Sequence, residues 1–296
     1  FERRPRLSTI RDWFSLVRFS HSVFALPFAL CGAWLAAGGP PGWRIAILVI
    51  LCAVAARTAA MGFNRLVDRS IDSANPRTKG REIPAGKLGV GAVRALVAFA
   101  SLAFVALAFA LNPLAGWLSA PVLGVLLVYS YVKRVSSTAH LVLGLALALA
   151  PLGAWVAVRG ALEPDVAPVL WLALAVLTWV AGFDLIYACQ DADFDRKNGL
   201  HSIPARLGIA NALKISSALH VATVVALTLV GATAGLGLAW WIALVVCALL
   251  LVWQHRLVGP QDLSRVDLAF FTLNGWVGVG LFVGLAIDRA LANGGF

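Results

Sequence analysis

The chain has 296 residues, of which 60% are hydrophobic and only 13% charged, with a mean hydropathy of +0.86. A soluble domain carries roughly a quarter charged residues, so this composition excludes a soluble enzyme and implies a polytopic membrane protein. Net charge is +10 and the pI about 10.2, but in so apolar a chain the expected partner of that charge is a lipid bilayer rather than nucleic acid.

The basic start, FERRPRLSTIRDW, reads as an interfacial segment with Trp13 and Phe14 at headgroup level. It has no early small-residue cleavage site, so a removed signal peptide is not expected. Nine windows of about 20 apolar residues follow, each long enough for the hydrocarbon core. They lie at roughly 17–37, 45–63, 91–111, 114–132, 140–158, 168–188, 211–231, 237–254 and 268–288. The expected fold is therefore all-α: one membrane domain over 1–296, with nine transmembrane helices around a central cavity opening toward the cytoplasmic side. With the N-terminus inside, only Arg44, Arg159 and Arg289 of the 24 Lys and Arg fall on the outer side. The other basic residues lie in or nearest the cytoplasmic segments, which is the bias that membrane insertion imposes.

Arg18 opens the first window, as a membrane anchor or as a phosphate ligand. Arg57 lies about two turns inside the second, where a charged group needs a partner. It forms a structural ion pair or snorkels to the interface, or else it anchors an anionic substrate group such as a carboxylate.

The first long polar interruption (64–90) opens with Asn64, Asp68 and Asp72, which continue from Arg57 at spacings of seven, four and four. On a helix these project from one face. An amide carbonyl and two carboxylates form a hard oxygen surface suited to Mg²⁺. Arg69, Arg77, Lys79, Arg81 and Lys87 follow, a density that attracts phosphate. The fourth window closes on YSYVKR (129–134). Lys133 and Arg134 there are cytoplasmic anchors beside an aromatic belt, or Tyr129 and Lys133, at i and i+4, face the cavity and touch phosphate.

The second interruption (189–210) has the same logic. Asp184, Asp191 and Asp195 are spaced seven and four, with Tyr187 and Gln190 beside them and Arg196 and Lys197 immediately after. Asp193 falls on the opposite side and is expected to be solvated. Six of the fourteen acidic residues sit in these two windows. Carboxylates so close to hydrocarbon normally reflect a bound cation or a proton path. Two such clusters flanked by Lys and Arg suggest divalent metal holding a polyanion at the membrane face. His21, His140 and His201 are candidate bases, although lone histidines near helix ends are more often structural.

The two interruptions are about 123 residues apart with four windows from one to the next. This suggests two four-helix halves, about 15–135 and 138–255, plus a ninth helix at 268–288. Cys31, Cys52, Cys189 and Cys247 have no paired spacing and read as helix-packing residues, with no disulfide framework or zinc site.

At these loops the sequence resembles the UbiA superfamily of membrane aromatic prenyltransferases. NRLVDRSIDSANPRTKGREIPAGKL (64–88) is similar to the family's N-x-x-x-D-x-x-x-D pattern followed by R-T-x-x-R. DLIYACQDADFDRKNGLHSIPARLG (184–208) is similar to its D-x-x-x-D motif with a trailing G-x-x-S. The resemblance implies that Asn64, Asp68 and Asp72 serve one Mg²⁺ and that Asp184, Asp191 and Asp195 serve a second. Asp68, Asp72, Asp191 and Asp195 would be central to catalysis. It implies a diphosphate end formed by Arg18, Tyr129, Lys133 and Tyr187, joined by Arg77, Arg81 and Lys197, with Arg57 placed to hold an acidic aromatic acceptor. The chain departs from many members at Glu82-Ile83-Pro84, where they have Arg-Pro, which bears on the conformation of the first loop.

The motif detail is most similar to the 4-hydroxybenzoate polyprenyltransferase branch. The implied reaction is Mg²⁺-dependent transfer of a polyprenyl group from its diphosphate to an aromatic acid, in ubiquinone or menaquinone biosynthesis in a bacterial inner membrane. 1,4-Dihydroxy-6-naphthoate, the acceptor of the futalosine route, is the alternative. A cation transporter is the competing class, but its sites usually lie near the bilayer midplane. The D-G-x-x-A-R signature of lipid-headgroup phosphotransferases is absent.

Overall fold

The computed structural model describes residues 9–17, 22–161 and 165–294. A short N-terminal helix, α1 (Ile10–Leu16), begins at a capping box in which Thr9 and Asp12 satisfy each other's backbone N–H. The long helices are α2 (Ser22–Ala37), α3 (Trp43–Val67), α5 (Val90–Leu111), α6 (Pro113–Val132), α7 (Ala139–Arg159), α8 (Ala167–Ala188), α11 (Ile209–Thr233), α12 (Leu238–Arg256) and α13 (Asn274–Ala292). Between them lie three one- to two-turn helices: α4 (Arg69–Ala74), α9 (Ala192–Lys197) and α10 (Ile203–Leu207).

Eight helices among the described residues are long and apolar enough to cross a membrane. The first expected span corresponds to α2, whose 16 residues rise about 24 Å at 1.5 Å per residue. The expected span also takes in residues 18–21, which lie outside the described residues.

The centre of the bundle is α8. Its sequence is apolar on every side, as a helix buried all round must be, and Val176, Trp179, Val180, Leu185 and Ile186 are all sealed from solvent. Small residues let its neighbours approach. A Cβ on Gly144 of α7 would lie 2.4 Å from the Leu177 carbonyl oxygen, and one on Gly182 of α8 would lie 2.4 Å from the His220 ring of α11. Close contact of this kind drives helix association where lipid offers no hydrophobic contrast. Asn112 fastens the opposite end of the bundle. Its Oδ1 accepts from Ala115 N at 2.8 Å to start α6, while its Nδ2 donates to the Val156 carbonyl near the end of α7 at 2.9 Å.

Before α13 the chain runs as a π-helical turn over Leu268–Leu273, within the span expected as continuous helix. The Ala269 carbonyl that this turn displaces accepts from Gln254 Nε2 at 3.1 Å and Asn274 Nδ2 at 3.2 Å. Asn274 Oδ1 in turn accepts from Trp179 Nε1 at 2.9 Å. Buried polar side chains thus satisfy the irregular backbone that a membrane interior forbids exposing. The turn sets Phe270 against Tyr187, with ring centroids 4.3 Å apart.

Candidate active site

Both acidic clusters sit on interrupted helices rather than on the continuous faces their spacing suggests. Helix α3 ends at Val67, Asp68 occupies the junction at φ −85°, ψ 1°, and α4 starts at Arg69. In the second cluster α8 ends at Ala188 and a 3₁₀ turn covers Cys189–Asp191. Asp191 then occupies the junction at φ −102°, ψ 2°, and α9 starts at Ala192. The same backbone state, between the helical and extended regions, precedes a six-residue helix in both loops. The carboxylate four residues on, Asp72 or Asp195, lies in that short helix.

Three loops meet at this end of the bundle. Arg77 forms a bidentate ion pair with Asp191, its Nε donating to Oδ1 at 2.9 Å, and its guanidinium also donates to the Tyr187 hydroxyl at 2.8 Å. Asn75 Nδ2 donates to Asp191 Oδ1 at 3.0 Å. The two acidic loops are therefore stitched together directly. The segment after α6 joins them through the His201 backbone N–H, which donates to the Lys133 carbonyl at 2.9 Å.

Asp68 and Asp72 each already have a cationic partner. Asp68 accepts from Lys133 Nζ at 2.5 Å and from Asn64 Nδ2 at 3.1 Å, with the Arg134 guanidinium 3.5 Å from its other oxygen. Arg81 donates to Asp72 Oδ1 at 2.6 Å. Lys133 also acts on Asp195, and Arg81 on Asp191, so each cation spans the two clusters. Asp195 is hydrogen-bonded to Ser202, which caps α10. Asp184 stands apart, its Oδ2 being 2.7 Å from the buried His140 Nδ1. Burial opposes the charge of Arg77, but its bonds to Asp191 and Tyr187 outweigh that, and the guanidinium is held above its ordinary value.

Of the remaining expected residues, Tyr129 is half-buried and within electrostatic reach of Arg57, Arg65 and Asp68. Arg57 lies on α3 facing this same corner, two turns deeper than Asn64. Lys197 is exposed on the last turn of α9, and no ion pair among the described residues ties it to the site. Asp193 is exposed and pairs with Arg196 at 3.2 Å, in keeping with a solvated role. Arg18 and His21 lie outside the described residues. Glu82, the departure in the first loop, is buried and accepts from Ser15 Oγ at 2.5 Å, so it docks α1 onto the loop.

Asn75, Arg134 and His140 contact the carboxylates directly but were not singled out by the motif spacing. His140 carried only the weak signal of a lone histidine, and Asn75 sits in an Asn-Pro dipeptide that reads as a turn.

A metal fits these residues in one respect that the structure itself supplies. Asp68 Oδ1, with the Arg134 guanidinium at 3.5 Å, and Asp72 Oδ2 are buried and accept no hydrogen bond among the described residues, leaving hard-oxygen lone pairs open to a cation. No three His, Cys, Asp or Glu side chains among the described residues converge on a point. Mg²⁺ does not need such a cage, because it takes one or two carboxylates and completes its shell with water and phosphate oxygens.

The UbiA prenyltransferase family profile matches residues 25–276. The chain belongs to this family. It is a prenyltransferase and an integral membrane protein. It is 33% identical to a 4-hydroxybenzoate octaprenyltransferase of Paracidovorax citrulli, covering 98% of this chain and 97% of that one. The corresponding enzyme of Aeromonas hydrophila is 35% identical over 88% of both chains. Among solved structures, a UbiA homolog from Aeropyrum pernix K1 superposes with a TM-score of 0.82 at 37% identity, covering 90% of this chain and 98% of that chain. A UbiA homolog from Archaeoglobus fulgidus bound to GPP and Mg²⁺ superposes with a TM-score of 0.69, covering 93% of this chain and 99% of that chain. Its 20% identity makes it a likeness of fold alone.

Proposed function

We propose that this UbiA-family chain transfers a polyprenyl group from its diphosphate to an aromatic acid of the 4-hydroxybenzoate kind, a step of quinone biosynthesis. The observation that carries this reading is the clamp of Arg77 on Asp191, which brings the two acidic loops to one locus beside Lys133 and Arg81. The names of the full-length relatives support the acceptor class.

Asn64, Asp68 and Asp72 from one loop, and Asp184, Asp191 and Asp195 from the other, would hold two Mg²⁺ ions. Bound there, Mg²⁺ supplies Lewis-acid neutralisation of the leaving diphosphate. The chain's own cations do the rest. Arg77, Arg81 and Lys133 now neutralise carboxylates, and all three are within a side-chain swing of a diphosphate lying between the loops. Turned onto its oxygens, they stabilise the charge that develops as the allylic C–O bond breaks. Tyr129 and Tyr187 orient the same end, Lys197 extends the basic rim, and Arg18, outside the described residues, is assigned to the diphosphate by the family resemblance alone. The aromatic wall of Phe270 and Tyr187 shields the allylic cation from water. Arg57, deeper in α3, holds the acceptor carboxylate so that the ring carbon ortho to the hydroxyl attacks. Loss of the ring proton then restores aromaticity.

In this reading nine helices, α2 among them, enclose a central cavity. The N-terminus and active site face the cytoplasm of a bacterial inner membrane, in keeping with the inward bias of Lys and Arg. The shared Asp68 and Asp191 junctions support two four-helix halves within one domain. Cation transport is set aside, because the carboxylates lie at helix ends and the family is one of transferases.

The test is an assay offering 4-hydroxybenzoate and 1,4-dihydroxy-6-naphthoate with polyprenyl diphosphates of several lengths. The mass of the product identifies both substrates. Prenylated 4-hydroxybenzoate is expected; a product formed only from the naphthoate would move the chain to the menaquinone branch, and no product from either acid would overturn the reading.

A further inference from the structure

Trp155, Arg159 and Arg289 line a cavity of about 310 Å³ at the end of the bundle opposite the acidic loops. Leu35, Ala167 and Thr233, from the ends of α2, α8 and α11, also line it. Only three basic residues are assigned to this side by the charge bias, and two of them meet here. Two guanidiniums gathered where the chain otherwise avoids positive charge call for an anion between them.

The hydrogen-bond inventory points the same way. Trp155 is 2% exposed, and its indole Nε1 has no acceptor among the described residues. Arg289 Nε is likewise buried without one, although its terminal nitrogen donates to the Ala234 carbonyl at 2.8 Å. Arg159 stacks on the Trp155 ring, 5.4 Å from its centroid. Unsatisfied buried donors are uncommon in a folded protein, and here both belong to residues that line one cavity. Asp165 is the carboxylate in its wall, but it is exposed and pairs with neither guanidinium among the described residues. The first turn of α8, starting at Ala167, adds backbone donors and the positive end of a long helix.

We propose that this cavity binds a phosphate group, with Arg159 and Arg289 on its oxygens and Trp155 Nε1 donating a further hydrogen bond. The tetrahedral spread of phosphate oxygens suits donors arriving from three helices better than a planar carboxylate does. The favoured source is an anionic phospholipid headgroup. Leu170 beside the cavity on α8, and Ile287 and Leu291 around Arg289 on α13, are exposed apolar side chains that would run along its acyl chains. A free phosphate ester presents the same chemistry to the cavity. The rival account is that Arg289 only caps the C-terminal carbonyls of α11.

Native mass spectrometry of the detergent-purified protein separates these. It would be run with phosphatidylglycerol, phosphatidylcholine or inorganic phosphate, on wild type, Arg159→Gln/Arg289→Gln and Trp155→Phe. Wild type should retain phosphatidylglycerol about tenfold better than phosphatidylcholine, and the double variant should lose that preference. Trp155→Phe should weaken retention several-fold, the scale of one hydrogen bond, with an unchanged melting temperature. Should the double variant not fold, Arg159→Gln alone carries the same expectation. Saturable phosphate binding of equal strength without lipid preference would keep the phosphate site and overturn the lipid source. Equal retention of phosphatidylglycerol by wild type, Arg159→Gln and Trp155→Phe would overturn the proposal and leave Arg289 as a helix cap.

Discussion

Arg77 and Asp191 are 114 residues apart in sequence and form a bidentate ion pair that closes one acidic loop onto the other. The pair is half-exposed, so as a free-standing salt bridge it contributes little to stability. Its value is positional, since it also holds Tyr187 and lies beside Asn75. Arg77→Ala is expected to lower kcat about ten- to a hundredfold, the usual effect of removing a group that orients a ligand, with little change in melting temperature. Steady-state kinetics alongside a thermal melt check this. Because its guanidinium is held above an already high ordinary value, its charged form, and the stability linked to it, persist at any pH below the unfolded value. The clamp should therefore be insensitive to pH between about 6 and 9.

Asp68 and Asp191 test the metal assignments, but the two are not equally safe to truncate. Asp68 is 1% exposed beneath Lys133 and Arg134, whose side chains are 32% and 35% exposed, and deleting it to Ala would open a void under their charges and disturb the fold as well as the site. Asp68→Asn keeps the shape while removing the charge. Asp68→Asn and Asp191→Asn should each reduce turnover about a hundred- to a thousandfold in protein that still runs as a folded monodisperse species. Near-normal product formation at saturating Mg²⁺ by either variant would remove that residue from the metal site.

Arg57 and Tyr129 occupy one corner deeper than the carboxylates. Arg57→Ala is expected to raise the KM for the aromatic acid about tenfold or more while leaving that for prenyl diphosphate within about twofold. Separate titration of each substrate decides it; a change confined to the diphosphate would move Arg57 to the other pocket.

Gly144 and Gly153, both on α7, form an internally controlled pair. A Cβ at Gly144 meets the Leu177 carbonyl at 2.4 Å, whereas one at Gly153 meets nothing within 4 Å. Gly144→Ala should destabilise by about 1–3 kcal/mol through overpacking against backbone that cannot rotate away. Gly153→Ala should be neutral or slightly stabilising through helix propensity. Melting temperatures in one detergent give the comparison.

Asn64, Asp68, Asp72, Asp191 and Asp195 were legible because carboxylates stand out where everything around them is apolar. Spacing alone also put them near one another, but it gave the wrong local picture. A run of four-residue intervals cannot distinguish an unbroken helix from one that breaks at Asp68 and restarts at Arg69. The break redirects Asp72 toward Arg81, a contact no periodicity contains. Asn75 was hidden, and His140 was named only as a candidate base, for a related reason: their partners lie more than forty positions away. The π turn at Leu268–Leu273 was invisible because LAFFTL is as apolar as any regular helix. Its polar support, Gln254 and Asn274, looked like ordinary helix residues.

The most direct measurement is calorimetric titration of an unreactive prenyl thiodiphosphate into wild type, Asp68→Asn and Asp191→Asn, each with Mg²⁺ and with EDTA. If both loops grip one diphosphate through metal, wild type binds tightly only with Mg²⁺, and each substitution separately weakens binding by about tenfold or more. Binding that survives EDTA, or that either variant leaves unchanged, would contradict it.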